Sequence, residues 1–372
     1  MKYFNNGGSE KMKYSKFGKK VLKLPLFFPD ATRALIKTID SIDIKNTKTP
    51  GILVNTFHLF NQLNQNILSN FEKGIREFMN WQGAIISDSG GFQVMSLVKR
   101  KYLNGEISDQ GIVYKNNNKT TVFTPEKSIS FQMLLKTDLL VVLDDFTPPD
   151  STKKIAKETV ERTLGWARRS KIEFEKICEK QKISDKRRPY LIAVVQGGDY
   201  LDLRKKCTQK LVEIGFDGLG YGGWPIKKNG EFNYQVAECI SENSPKKYLL
   251  YGLGIGKPED IIGCVNLGYD IFDCVLPTRD ARHGRLYVYN EDSIDKIDLK
   301  KMNFYSFYDP IKNIFSDDKS KISKACDCLL CKNYSKAYLY HLFKTGDLSA
   351  KRLATIHNLR FYSILMEKLQ QT

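Results

Sequence analysis

The sequence predicts an α/β fold, a (β/α)8 TIM barrel over residues 21–290, followed by a smaller subdomain over residues 291–372. Short apolar runs rich in Val, Ile and Leu alternate with longer amphipathic stretches, the rhythm of strand and helix in a parallel sheet. Polar residues or glycines close nearly every run. In a closed barrel the carboxyl ends of all strands converge on one mouth. An open doubly wound sheet would place such residues mainly at its switch point, so the barrel is favoured.

Six apolar runs are the clearest strand candidates: 52–54, 84–86, 139–143, 191–195, 248–253 and 271–272. The residues at the expected strand ends are Asn55, Asp88, Asp144, Gln196, Gly222, Gly223, Gly254 and Asp273. Because the strand ends of a barrel share one mouth, we expect these residues to surround a common site.

Helices are predicted between the strands. Residues 151–181 carry charges along one face, with Asp150 or Ser151 as the N-cap. Residues 201–214 form a second helix that ends at Gly215, a residue typical of helix C-termini.

The composition indicates a globular protein whose partner is a polyanion. The chain has 372 residues, of which 41% are apolar, enough for a substantial core. Its formal net charge of +17 favours an extended polyanion such as nucleic acid, although plain solubility or a lysine-rich genome would also give a basic chain. Residues 1–20 are polar and basic, and we expect a weakly ordered N-terminal segment.

Membrane and secretory segments are not predicted. No stretch approaches the roughly 20 apolar residues of a membrane helix, and the basic start of the chain has no apolar signal-peptide core. We therefore expect a cytoplasmic protein without membrane association. Eight cysteines in so long a chain are too few for a disulfide scaffold, and only the three that cluster near the C-terminus need an explanation.

These three, Cys326, Cys328 and Cys331, form the pattern C-x-C-x-x-C. Three thiolates and one imidazole make a closed tetrahedral ligand set for Zn²⁺, which indicates a structural site because no coordination position remains for substrate. The alternative is three incidental cysteines. The residues 291–372 are therefore predicted to be a zinc-binding subdomain with a C-terminal helix.

Two histidines could complete the set. His357 lies in the helix predicted over 348–368, and His341 is its rival. We prefer His357 as the fourth ligand. Metal binding would then contribute folding free energy to this part of the chain.

Asp273 stands inside the apolar segment 271–276, where an unpaired carboxylate costs desolvation energy. An ion pair with Arg279 or Arg282 would be a purely structural explanation. However, Asp88 also follows an apolar run, and the two glycines after Ser89 would let the backbone approach a ligand closely. Two strand-end carboxylates would thus face one mouth.

Such a pair suits displacement at an anomeric carbon, with one acid as nucleophile and the other as proton donor and acceptor. Serine or cysteine hydrolysis fits less well, because His58 is the only barrel histidine outside the arginine-rich loop and no G-x-S-x-G motif accompanies it. A phosphate-binding G-x-x-x-x-G-K-[ST] loop is also absent from the sequence.

The sequence resembles the tRNA-guanine transglycosylases, which exchange a guanine in tRNA for a 7-deazaguanine base. The resemblance runs from about residue 24 to the C-terminus. It rests on the following motifs: NTFHL at 55–59, SDSGGFQVMSL at 87–97, LDDFTPP at 143–149, VVQGG at 194–198, YGGW at 221–224, GLGIGKPED at 252–260, FDCVLPTRDARHGR at 272–285, and the zinc ligands.

The resemblance implies a role for each site residue. Asp273 matches the nucleophile that attacks C1′ of the target nucleotide, and Asp88 matches the general acid and base. The base pocket is expected to consist of Ser89, Phe92, Asp144, Gln196, Gly222, Gly223, Leu253 and Gly254, with Phe92 and Leu253 stacked on the ring. The residues expected to hold tRNA are Lys257, Thr278, Arg279, Arg282 and Arg285.

Further implications concern the partners. The resemblance implies exchange at position 34 of the anticodon loop in queuosine-type modification, one structural Zn²⁺ per chain and a homodimer. A guanine must leave the base stack to be attacked, which is easier in a single-stranded loop than in a duplex.

Three features depart from the usual bacterial pattern. Asp145 and Phe146 replace Glu-Cys, Trp224 replaces leucine, and Lys227 and Lys228 stand where an acidic residue is expected. In bacterial relatives that acid helps to hold the aminomethyl group of preQ1, which two lysines would repel. Queuine, preQ0 and preQ1 all remain candidates for the incoming base.

Two other functions compete with tRNA modification by this chain. One is a 7-deazaguanine transglycosylase that acts on DNA. The other is a non-catalytic tRNA-binding subunit, against which the presence of both Asp88 and Asp273 argues. A zinc-dependent nucleic-acid-binding protein without chemistry fits the strand-end residues least well.

Overall fold

The computed structural model describes residues 14–18, 20–63, 65–96, 105–116 and 119–371. In these ranges the strands are β1 (Tyr14–Phe17), β2 (Lys20–Lys23), β3 (Leu26–Pro29), β4 (Gly51–Asn55), β5 (Ala84–Asp88), β6 (Gly105–Ser108), β7 (Gly111–Asn116), β8 (Lys119–Phe123), β9 (Leu139–Val141), β10 (Tyr190–Val195), β11 (Gly218–Tyr221), β12 (Leu249–Gly252), β13 (Ile271–Cys274), β14 (Leu286–Tyr289) and β15 (Tyr305–Tyr308).

The α-helices of the same ranges are α1 (Ser41–Asn46), α2 (Thr56–Gln62), α3 (Gln65–Ser69), α4 (Ile75–Phe78), α5 (Gly91–Val94), α6 (Pro125–Leu135), α7 (Lys153–Lys180), α8 (Leu201–Ile214), α9 (Tyr234–Glu242), α10 (Pro258–Asn266), α11 (Leu276–Arg282), α12 (Leu329–Asn333), α13 (Lys336–Thr345) and α14 (Leu348–Leu369). A short 3-10 helix covers Asn313–Phe315. None of the helices in the described ranges has both the length and the apolar character needed to span a membrane.

Eight parallel strands form the barrel in the order β3-β13-β12-β11-β10-β9-β5-β4. The ring closes between β3 and β4 through an isolated parallel bridge from Asp30 to Leu53. The Ala31 amide donates to the Leu53 carbonyl at 2.7 Å and the Asn55 amide donates to the Thr32 carbonyl at 3.1 Å. The predicted (β/α)8 barrel is confirmed.

The barrel is packed on both faces of its sheet. Inward-facing side chains such as Phe28, Ile86, Ile192 and Tyr251 form one apolar cluster and are fully buried or nearly so. The outward faces of the strands pack against the surrounding helices in a second, larger cluster. Burial on both faces explains why these strands read as continuous apolar runs.

The N-terminal hairpin of β1 and β2 covers the bottom of the barrel. Phe17 is buried there, with its ring centroid 5.9 Å from that of Phe28 and 5.8 Å from that of Tyr190. The Ser15 hydroxyl donates to the Tyr190 hydroxyl at 3.0 Å. The weak order expected for residues 1–20 therefore does not extend to β1, because its apolar side chains seal the barrel end, while residues 1–13 and 19 lie outside the described ranges.

The predicted helices are present with small differences at their ends. Helix α7 begins two residues later than the predicted start at residue 151, because Thr152, and not Asp150 or Ser151, accepts the capping hydrogen bond from the Ile155 amide. Helix α8 has the predicted bounds, and Gly215 follows it with a positive φ of 87°.

The C-terminal region is not separate from the barrel. Helix α14 is buried along most of its length and contacts β3, α1 and α10, so it covers the barrel wall on the side where β13 meets β3. Its Tyr362 donates to the Gly256 carbonyl at 2.6 Å, and Arg352 forms an ion pair with Asp43 of α1. The metal-binding segment predicted within residues 291–372 is thus inserted before a helix that packs as part of the barrel.

The barrel core is expected to dominate stability. Replacement of the fully buried Ile192 by Ala should lower the free energy of unfolding by about 2–5 kcal/mol, because it removes packing contacts and leaves a cavity. The matched change Ile172→Ala, at a side chain that is 65% exposed on α7, should change it by less than about 0.5 kcal/mol. Urea unfolding of both variants tests this, and equal effects would contradict the described packing.

Candidate active site and metal centre

The carboxyl ends of the barrel strands surround a cavity of about 490 Å³. Around the ring, Asp273 of β13 is followed by Asp30 after β3, Asn55 of β4, Asp88 of β5 and Asp144 after β9. Gln196 follows β10, and the Gly222–Gly223 pair follows β11. The strand ends that the sequence singled out therefore do meet at one mouth.

Asp273 is held by one of its two carboxyl oxygens. The Tyr251 hydroxyl donates to Oδ1 at 2.7 Å and the Gly254 amide donates to the same oxygen at 3.0 Å. Within the described residues no lysine or arginine nitrogen lies within 4 Å of this carboxyl, so the structure does not contain the ion pair with Arg279 or Arg282. Burial raises the pKa of Asp273 to about 7, although both hydrogen bonds act to lower it.

Asp88 is positioned by its neighbour on β4. The Asn55 amide nitrogen donates to Asp88 Oδ2 at 2.7 Å, while the Asn55 amide oxygen accepts from the His58 backbone at 3.0 Å. The capping bond fixes the orientation of the amide, so its nitrogen must point at the acid. Burial, with the nearby charge of Asp144, raises the pKa of Asp88 to about 7. This role of Asn55 was missed in the sequence, where only its place at a strand end was visible.

Asp144, after β9, and Gln196, after β10, form a hydrogen-bonded pair on the side of the mouth opposite Asp273. Gln196 donates from Nε2 to Asp144 Oδ2 at 2.6 Å, and its Oε1 accepts from the Thr147 amide at 3.0 Å. Both side chains are buried, and burial raises the pKa of Asp144 to about 7. A Cβ at Gly91 would lie 2.3 Å from Asp144 Oδ1, so this glycine is required for the close approach of backbone and acid.

Arg204 supports this wall from behind and was not predicted. The side chain is buried, and its guanidinium donates to the carbonyls of Val195, Gly198 and Gly222 at 2.5, 2.8 and 2.8 Å. It thereby ties the ends of β10 and β11 together. A buried arginine in a helix gives no sequence signal of this function, because its partners are backbone atoms.

Aromatic rings form the outer wall of the cavity. Phe92 lies 5.3 Å from Phe146 and 6.4 Å from Trp224 between ring centroids, and its plane is within 27° of the Trp224 plane. Leu253 also lines the cavity, as expected. Ser89 is buried, and its hydroxyl has no hydrogen-bond partner among the described residues.

The residues expected to hold tRNA have different environments. Lys257 and Arg279 are exposed and line the cavity. Arg282 is half-buried and donates to the Thr278 carbonyl at 2.8 Å, while the Arg285 guanidinium lies 3.6 Å from the centre of the Phe307 ring. The Thr278 side chain is buried, and its hydroxyl donates to the Val275 carbonyl, so the structure does not bring it to the surface expected to hold tRNA.

The unusual residues near the pocket have local partners. Asp145 is buried and forms an ion pair with Arg162. Lys228 lies 3.2 Å from Asp150, with both side chains largely exposed. Neither side chain therefore places an unpaired charge inside the cavity.

The predicted metal ligands also come together. The three cysteine Sγ atoms and a nitrogen of His357 lie within 4.8 Å of one another and could hold a metal ion. His357 Nδ1 is 3.7, 3.6 and 3.2 Å from the sulfurs of Cys326, Cys328 and Cys331. His341 is exposed and is not part of the cluster, so His357 is confirmed as the histidine of this group.

The donor set fits a tetrahedral ion. Metal–sulfur and metal–nitrogen bonds of about 2.3 and 2.1 Å at tetrahedral angles put sulfur and nitrogen about 3.6 Å apart, close to the observed distances. His357 Nε2 donates to the Tyr287 carbonyl at 2.8 Å, which turns Nδ1 towards the thiols. Such an outer hydrogen bond is typical of a metal-ligating histidine.

Comparisons with known proteins identify the family of this chain. The family model described as Queuine tRNA-ribosyltransferase matches residues 11–372. A Queuine tRNA-ribosyltransferase of Haemophilus ducreyi is 36% identical over 356 residues, which cover 95% of this chain and 86% of the relative. Proteins of the same name from Haemophilus influenzae (strain PittEE) and Pasteurella multocida are 37% and 36% identical over 352 residues, which cover 94% of this chain and 85% and 84% of the relatives. This chain is a member of the queuine tRNA-ribosyltransferase family, and thus a pentosyltransferase.

Proposed function

We propose that this protein exchanges the guanine at position 34 of a tRNA anticodon loop for a 7-deazaguanine base, through a covalent bond between the target ribose and Asp273. The observation that supports this most directly is the pair of strand-end carboxyls, Asp273 and Asp88, at one cavity. Each is held by neutral hydrogen-bond donors and neither is consumed in an ion pair among the described residues. The non-catalytic subunit fits less well, because it would keep two costly buried acids without a use for them.

Asp273 is the nucleophile in this proposal. Its Oδ1 already accepts two hydrogen bonds, so Oδ2 is the oxygen with lone pairs free for attack. The bond from Oδ2 to C1′ forms while the bond from C1′ to guanine N9 breaks, and the electron pair of the broken bond leaves with the base. The incoming base then displaces the carboxylate from C1′.

Asp88 handles the proton of each half-reaction. It donates a proton to the departing guanine and later removes one from the incoming base, so the acid ends each cycle as it began. Its raised pKa suits this task, because a carboxyl with an ordinary pKa would hold no proton at neutral pH. Asn55 keeps it aimed at the cavity.

Asp144, Gln196 and the Gly223 amide recognise the base edge. The Asp144 carboxyl oxygens match the N–H donors of the guanine edge, and the amides of Gln196 and Gly223 can donate to its carbonyl oxygen. Phe92 and Leu253 stack on the two faces of the ring. Gly222 and Gly254 also line the cavity, and with the buried Ser89 they complete the proposed pocket.

Lys257 and Arg279 at the cavity rim, with Arg282 and Arg285 beyond them, contact the phosphates of the anticodon loop. Phosphate contacts position a nucleic acid without reading its sequence. They would hold the loop while the target guanine is turned out of its stack into the cavity.

The metal held by the cysteine cluster is proposed to be Zn²⁺, whose preference for three thiolates and an imidazole matches the donor set. When bound, it cross-links α12 to α14 and takes no part in the chemistry.

We also propose that the protein works as a homodimer in the cytoplasm, with sedimentation analysis as the test of the dimer.

Asp273→Asn is expected to lower guanine exchange into tRNA by at least about a thousandfold, since loss of a covalent nucleophile costs up to about a millionfold elsewhere. Incorporation of labelled guanine into tRNA bearing G34 measures this. Denaturing electrophoresis should show a protein–tRNA adduct for the original protein and none for the variant, while tRNA binding persists.

Asp185→Asn is the control for charge, because it removes a carboxylate whose side chain is 98% exposed and does not line the cavity. It should exchange guanine at the original rate. Exchange that survives in Asp273→Asn would exclude this residue as the nucleophile.

The dependence of exchange on pH should be bell-shaped with a maximum near pH 7. Below this pH Asp273 takes up a proton and loses its nucleophilic charge, because its pKa is about 7. Above it Asp88, whose pKa is also about 7, loses the proton that it must donate. Measurement of kcat/KM from pH 5 to 9 reports these groups in the free enzyme, and a rate that only rises with pH would contradict the assignment.

Metal analysis of the purified protein should find one zinc per chain. Cys331→Ala should lose the metal and melt roughly 5 °C or more below the original protein, because the metal links two helices in the folded state only. Cys239→Ala, at a half-buried thiol outside the cluster, should keep both metal and melting temperature. A folded protein without metal would contradict the proposal.

A further inference from the structure

A third carboxyl, that of Asp30, lines the cavity beside the proposed nucleophile. In the pairing of β13 with β3, Asp273 lies opposite Phe28 and Cys274 lies opposite Pro29. Asp30 is thus two residues beyond the partner of Asp273, just after the end of the neighbouring strand. On its other side Asp30 makes the bridge to Leu53 that closes the barrel. It therefore stands between the strand of the nucleophile and the strand whose Asn55 holds Asp88.

The bonding of Asp30 leaves room for a ligand. The Thr32 hydroxyl donates to its Oδ1 at 2.6 Å, in the turn after β3. In the described part of the chain no lysine or arginine nitrogen lies within 4 Å of this carboxyl, although Arg282 is close enough to act on it electrostatically. A carboxyl can accept about four hydrogen bonds. Its local partner fixes its direction without using up that capacity.

With Asp273 as the nucleophile, the proposed position of the base puts the sugar on this side of the mouth. The base edge is bound by Asp144, Gln196 and Gly223, which follow β9, β10 and β11. C1′ must lie at Asp273 on β13. The rest of the ribose ring then extends away from the base pocket, towards the mouth between β13 and β4, where Asp30 and Leu53 lie.

One hydroxyl of the target sugar is free to bind there. In a nucleotide within a chain the 3′ and 5′ oxygens are both esterified to phosphate, and the 2′-hydroxyl alone keeps its proton. It is bonded to C2′, the neighbour of the carbon under attack. The group that separates RNA from DNA is therefore next to the nucleophile.

We propose that Asp30 accepts a hydrogen bond from the 2′-hydroxyl of the target ribose and makes this enzyme select ribonucleotides over deoxyribonucleotides. The inference rests on the proposed function, since it takes Asp273 as the nucleophile. A hydrogen bond to the 2-hydroxyl strengthens as positive charge develops at the anomeric carbon, so the selection acts on the rate of the chemical step. It also favours tRNA over DNA as the substrate.

The test uses two RNA stem-loops that differ in a single atom. One carries an ordinary guanosine at the target position and the other carries 2′-deoxyguanosine there. For each enzyme, the kcat/KM of guanine exchange is measured on both stem-loops. The ratio of the two rates is the quantity of interest.

Asp30→Ala should lower this ratio about tenfold to a hundredfold, the range of a hydrogen bond to a charged group, by slowing exchange on the ribose substrate alone. Asp30→Asn keeps an acceptor oxygen and should retain part of the ratio. Asp260→Asn is the matched control, since Asp260 lines the same cavity on α10, and it should leave the ratio unchanged. The intrinsic effect of the missing hydroxyl on bond cleavage is common to all these enzymes and cancels when their ratios are compared.

Each outcome bears on one of the two proposals. Unchanged rates of Asp30→Ala and of the isosteric Asp30→Asn on both stem-loops would overturn the role of Asp30. Equal slowing of both substrates by Asp30→Ala would also overturn it, because a residue that only supports the fold does not distinguish the two sugars. Failure of the original protein to exchange guanine in either stem-loop or in tRNA would instead overturn the proposed function.

Discussion

Closure of the parallel barrel is the constraint on which the rest of the structure depends. Parallel strands joined by helices all end on the same side, and closure between β3 and β4 turns that side into a ring. Residues that are far apart in the chain, such as Asp30, Asp88 and Asp273, thereby become neighbours around one cavity. The burial that follows raises the pKa of each of the three carboxyls. The fold thus creates both the proximity and the protonation behaviour that the chemistry needs.

Two side-chain amides orient acidic side chains of the cavity. The amide oxygens of Asn55 and Gln196 each accept a hydrogen bond from a backbone N–H. The amide nitrogen of each side chain is therefore directed at a carboxyl. Arg204 donates to three backbone carbonyls behind the ends of β10 and β11. Because each such group is fixed by the backbone, the acids are held without a neutralising ion pair. They keep the reactivity that a salt bridge would suppress.

The metal centre is connected to the substrate side through α14. His357 points one ring nitrogen at the thiols and donates from the other to the Tyr287 carbonyl. The adjacent Asn358 donates to the carbonyls of Pro277 and Arg285 and accepts from the Tyr287 amide. Helix α14, which carries His357, therefore also anchors the arginine-rich segment 277–285. Metal binding and the shape of the surface proposed for tRNA share one element.

The sequence by itself predicted the barrel, its polar strand ends with Asp88 and Asp273, and the cysteine cluster, because continuous apolar runs, the polar residues that close them and close cysteine spacing are local patterns. The choice of His357 over His341 needed the contacts of the folded chain. Tertiary structure decided what depends on contacts between distant segments. It showed Asp30 and Asp273 at one cavity, Arg204 behind the ends of β10 and β11, Thr278 buried and α14 packed on the barrel wall. Asp30 follows a proline in a turn, and it lines the cavity only because the ring closes there. Register and burial belong to the assembled sheet, and no single segment carries them.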